Sequence, residues 1–153
     1  MRVNVYMRPL VNNHILWGCI VAWVLAQVLK VVFHWIIERE WDFRRVYGLG
    51  GMPSSHAAVV TSLAASIGCL YGFDSALFAI AFVLAVIVMT DAAGIRRAAG
   101  KQAVVINQLV QNLFEGRGDV AVEKLKELLG HSPFEVVIGG IMGTIVGIIF
   151  AFT

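Results

Sequence analysis

Four apolar runs take up most of this chain and decide its solvent: about 14–37, 56–72, 75–93 and 134–152. A helix needs about 20 apolar residues to cross the hydrocarbon core of a bilayer. At that depth only helices and closed barrels satisfy their own backbone. The runs therefore predict an all-α integral membrane bundle of about four spans, in a single domain over 1–153. Composition agrees, with 59% hydrophobic and 14% charged residues, against about half and about a quarter in a soluble domain. A formal charge of +2, with no basic tail, gives no reason to expect a nucleic-acid partner. Cys19 and Cys69 lie inside apolar runs, outside any Cys-x-x-Cys pattern, and read as packing residues. Arg2 and Arg8 precede a long first run with no small-residue cleavage site, which reads as a retained span rather than a signal peptide.

The run 56–72 is short for a free span, so its neighbours are expected to shield it. Gly72-Phe73-Asp74 makes a tight hairpin to the next run, with Asp74 or Ser75 as the following cap. The loop 38–55 holds Gly48, Gly50 and Gly51 and is expected to fold back toward Pro53. In the polar stretch 94–131, Val105, Ile106, Leu109, Val110 and Leu113 recur at helical spacing. They predict a short amphipathic helical segment at the membrane interface, followed by a second helix over about 120–129. Gly139, Gly143 and Gly147 form a close-packing face on the last span, to be used within the bundle or to pair two chains as a homodimer. With four spans, the loops 38–55 and 94–133 share one side and carry nine Lys and Arg residues, while the other side has Arg2 and Arg8. The positive-inside rule puts those two loops in the cytoplasm.

Two of the runs begin with a histidine: Gly51-Met52-Pro53-Ser54-Ser55-His56 and Leu129-Gly130-His131-Ser132-Pro133-Phe134-Glu135. Proline beside serine is a helix start, and helix starts present unpaired N–H groups and partial positive charge that attract phosphate. Ser132-x-x-Glu135 is also a capping box, in which Glu135 simply bonds the backbone of Ser132. In the functional reading, His131 is a nucleophile toward phosphorus and Glu135 holds its reactive tautomer. His56 is then the general acid, or else an interfacial residue bonding a loop. Ser54 and Ser55 are caps whose N–H groups can also cradle an anion. Arg96, Arg97 and Lys101, after Asp91, are headgroup anchors or phosphate clamps. Gln27, Lys30 and His34 form a polar stripe on the first span, with Lys30 either snorkelling or reaching toward the site. No zinc-ligand spacing, Walker loop or dinucleotide glycine pattern is present, so neither metal nor cofactor is expected.

Together, Gly50 to His56, Asp91-Ala-Ala-Gly-Ile-Arg-Arg97 and Leu129-Gly-His-Ser-Pro133 resemble the divergent bacterial and plastid branch of the type-2 phosphatidic acid phosphatase superfamily. The superfamily reads Pro-Ser-Gly-His, Ser-Arg and His-x-x-x-Asp. The resemblance implies metal-independent hydrolysis of a phosphate ester through a phosphohistidine, with His131 as nucleophile, Glu135 as acidic partner and His56 as general acid. The membrane setting points to a phosphorylated lipid or prenyl substrate, since its headgroup would meet a site at bilayer depth, and a bacterial plasma membrane, among membrane lipids, is the expected location. Ser55 stands for the superfamily glycine, Glu135 for its aspartate and Leu125 for its arginine, and Lys-x6-Arg-Pro is missing. Those departures leave a second reading open: a non-catalytic binding or assembly protein that kept the phosphate-binding frame.

Overall fold

The computed structural model describes residues 10–39, 51–114 and 131–153. Among the described residues the main elements are the helices α1 His14–Glu38, α2 Ser55–Tyr71, α3 Ala76–Ala93, α4 Ile95–Phe114 and α5 Pro133–Ala151. The expected helix over about 120–129 and most of the loop 38–55 lie outside the described residues.

Side-chain caps set the starts. The Asn13 side chain accepts from Leu16 N, and Ser54, Ser75 and Ser132 cap α2, α3 and α5 in the same way. Between α2 and α3 the chain turns at Gly72, whose φ of +88° suits a residue without a Cβ. Ser75, rather than Asp74, closes this hairpin: its hydroxyl donates to Gly72 O and accepts from Phe78 N. Beyond α3 the helix barely breaks. Gly94 N bonds Thr90 O and Ala98 N bonds Gly94 O, so α4 carries on almost directly from α3.

Among the described residues, three stretches are long and apolar enough to cross a membrane: His14–Ile36, Ala76–Leu113 and Pro133–Ala151. The 17-residue α2 spans about 25 Å at helical rise, less than a bilayer core of about 30 Å. It is shielded as the sequence predicts, because it packs against α1, α3 and α5 together. Its inward positions are small: Ala57, Ala58, Ser62, Ala64, Ser66 and Gly68 are all buried.

Among the described residues the most extensive helix contact is the seam between α2 and α5. A Cβ on Gly139, Gly143 or Gly147 would overlap the carbonyl oxygens of Ser54, Ala58 and Ser62 in turn. The two helices therefore run parallel, backbone against backbone, with their histidine-bearing starts at the same end. Thr61 donates to Gly140 O at 2.9 Å and Ser66 to Gly147 O at 2.9 Å, which ties the helices where apolar surface alone gives little drive. The predicted glycine face is thus occupied within one chain, and pairing two chains through it would require displacing α2.

Candidate functional site

The seam sets the two histidine motifs side by side. Glu135 O, on α5, accepts from Ser54 N, the residue that caps α2, at 3.0 Å. This bond fixes one helix start against the other. Below it, Ala57, Ala92 and Val136 form a buried apolar floor drawn from α2, α3 and α5. Above that floor the rings of His56 and His131 meet edge to face, with centroids 6.1 Å apart.

Glu135 serves both functions that its spacing allows. Oε2 accepts from Ser132 N at 3.0 Å, and the Ser132 hydroxyl accepts from Glu135 N, completing the capping box. The same Oε2 lies 3.2 Å from His131 Nδ1. A carboxylate there selects the tautomer with its proton on Nδ1, which puts the imidazole lone pair on Nε2. His131 is only 3% exposed, so this orientation is held by packing as well as by the bond.

Lys30 enters from α1. Gly18, Ala22, Ala26 and Lys30 are all buried and follow one another at every fourth residue, the row that faces the bundle. Its Nζ donates to Ser55 Oγ at 3.3 Å. A buried ammonium is costly in a membrane unless it faces polar groups, so its position marks this end of the bundle as polar. Gln27 and His34 are half-buried beside it.

The other expected residues are less close. Ser54 acts as a cap, and its N–H is taken by Glu135 O, so it is not available to hold an anion in this arrangement. Ser55 occupies the first turn of α2 and touches Lys30. Arg96 and Arg97 stand in the first turn of α4, just past the floor residue Ala92, and their side chains lie outside the described residues. Lys101 is exposed on α4, a helix that packs chiefly against α3. Sequence reading missed the Ser54–Glu135 backbone bond and the Lys30–Ser55 contact. The small residues before Lys30 at four-residue spacing are the signal that could have found the second.

The model of the divergent PAP2 family matches residues 11–146, nearly the whole chain and both histidine motifs. The chain belongs to the divergent PAP2 family. A relative from Bacillus subtilis (strain 168), named "Uncharacterized membrane protein YuiD", is 41% identical over 153 residues, covering 94% of this chain and 97% of its own length. No solved structure matches significantly. Helical architecture, apolar spans and the relative's name place the chain among membrane proteins, and its family suggests a relation to phosphatases.

Proposed function

We propose that the chain is a metal-independent membrane phosphatase acting on a lipid or prenyl phosphate or pyrophosphate through a phosphohistidine. The observation that carries this reading is the His131 Nδ1–Glu135 Oε2 contact at 3.2 Å, with the His56 ring 6.1 Å from His131. Nε2 of His131 attacks phosphorus, and the bond from phosphorus to the lipid oxygen breaks. His56 gives its proton to that leaving oxygen. Glu135 stabilises the imidazolium while phosphate is attached. Water, losing its proton to His56, then attacks phosphorus and releases inorganic phosphate and free His131.

Electrostatics support the same assignment. The parallel starts of α2 and α5 bring two partial positive charges together, which is unfavourable until an anion lies between them. Lys30 adds a full charge beside Ser55. Such fixed charges stabilise the phosphoryl oxygens as negative charge redistributes in the transition state. In this reading Arg96, Arg97 and Lys101 bind the headgroup from the start of α4, and the site faces the cytoplasm. Beside it stands the reading as a non-catalytic lipid-phosphate binder, which the direct Lys30–Ser55 contact favours because it ties up part of the site's charge.

Phosphate release by purified protein in detergent, with chelator present, separates the two. Phosphatidic acid, phosphatidylglycerophosphate and prenyl mono- and diphosphates are the substrates to offer, with His131→Ala alongside. Turnover that vanishes in His131→Ala is expected. Turnover that persists undiminished in His131→Ala overturns the phosphatase mechanism, and binding without any turnover moves the assignment to the binder.

A further inference from the structure

A groove of about 400 Å³ runs along the bundle between α2, α3 and α5. Thr61 and Met89 line its end nearest the histidines, Ala64, Ala65 and Ala85 its walls, and Phe73 and Phe78 its far end. Along α2, Thr61 is about 7 Å from His56 and Cys69 about 20 Å, at 1.5 Å per residue. The groove therefore starts directly below the site and lies at bilayer depth. Met89 makes the join: it packs against the Ala57, Ala92 and Val136 floor and also lines the groove.

Two aromatic rings stand at the far end. Phe73 folds back over Gly68, where a Cβ would come within 2.5 Å of its ring, and it meets Phe78 edge to face at 5.0 Å. Alanines keep the channel open, whereas the neighbouring outward positions of α3, Ile80 and Ile87, are large and face lipid. A phosphate held at His131 thus has an apolar track of defined length beneath it.

We infer that this groove takes one hydrocarbon chain of the same lipid whose phosphate reaches His131, and that Phe73 and Phe78 set the chain length it accepts. The inference rests on the proposed phosphate site and deepens it. The chain leaves an equally apolar bilayer, so its preference comes from contact and shape and not from leaving water.

The test uses single-chain alkyl phosphates, from butyl to hexadecyl, and a hexadecyl phosphate carrying a photoreactive diazirine at its tail. In the wild-type protein, label is expected on the segment around Cys69, Phe73 and Phe78, and a diazirine-bearing hexadecanol should label it far more weakly. Ala65→Trp, which fills the groove, should remove that label and lower the hexadecyl-to-butyl ratio of kcat/KM about tenfold. Phe73→Ala opens the far end at a position already 66% exposed, so it can be read even if the tryptophan variant fails to fold. It should move the best chain to a longer one. Ile80→Ala should leave the ratio alone.

Label spread over the lipid face, or equal labelling by the alcohol, overturns the inference, since the groove would then hold any bystander chain. Turnover independent of chain length, unchanged in Phe73→Ala, also overturns it and leaves the phosphatase reading intact. Groove labelling without phosphate release from any probe supports the chain site and overturns the phosphatase reading instead.

Discussion

The α2–α5 seam and the outer face of α3 are about equally foreign to water, yet they do opposite work. Along the seam the residues are small: Gly139, Gly143 and Gly147 lie against the backbone of Ser54, Ala58 and Ser62. On α3 Ala81, Ala85 and Ala92 are buried, while Ile80, Val83 and Ile87 are more than half exposed. Lipid tails are as apolar as leucine, so hydropathy cannot tell a helix which side to hide. Size can. Small residues let backbones meet and let serine and threonine hydroxyls bond across, so the seam becomes the rigid part of the molecule. The histidines sit at the end of that rigid part, where a misplacement of about 1 Å costs a catalytic site dearly.

The largest break in this contrast is expected from Gly143→Leu. Its side chain must push α5 away from Ala58 and Thr61, and no rotamer relieves a clash with backbone. Little folded protein should be recovered, and what remains should melt well below wild type in detergent. A leucine tolerated there without loss of melting temperature would mean that the seam is not as close as described.

Glu135→Gln sharpens the contrast between scaffold and chemistry. The amide can still accept from Ser132 N, but it no longer carries the charge that steadies His131 as it gains positive charge. Turnover is expected to fall about 100-fold with the melting temperature almost unchanged. Ser132→Ala should do the reverse, costing about 1 kcal/mol of stability as a lost cap with much less effect on rate. Similar rate losses in both variants would show that the capping box, not the Glu135–His131 contact, is what matters.

Much of this was readable in advance, for physical reasons that differ by feature. Span positions follow from hydropathy, and the seam from glycine at every fourth residue. The Glu135 contacts could be read only as a pair of alternatives, because the third and fourth neighbours at a helix start lie side by side. In the structure one oxygen serves both. The Lys30–Ser55 contact joins residues 25 apart in sequence and depends on how α1 crosses α2; the small residues Gly18, Ala22 and Ala26 ahead of Lys30 mark the inward row but not its partner. Lys101 shows the converse: its basic cluster made it a clamp candidate, but α4 leaves it exposed.

Lys30 offers a smaller test. Lys30→Met keeps most of the packing stem and removes the charge, and turnover should fall about tenfold. Lys30→Arg should recover part of it, if a cation near Ser55 is what the site uses. Equal activity in both variants would reduce Lys30 to packing. The smallest effect is expected on the lipid face. Ile80→Ala, 68% exposed, should change stability by no more than about 0.5 kcal/mol, because its partners are lipid and not protein. A loss comparable with a core cavity would mean that a second protein surface covers α3.

The central claim is that His131 forms a bond to phosphorus. The direct measurement is to mix the purified protein with a lipid phosphate labelled on phosphorus, stop the reaction under alkaline conditions, and map the label by peptide mass spectrometry. A phosphoryl group on His131 that is stable to base and lost in acid, and that builds up further in His56→Ala where its hydrolysis is slowed, is the predicted result. Phosphate release without any adduct at His131, or an adduct on another residue, would contradict the account.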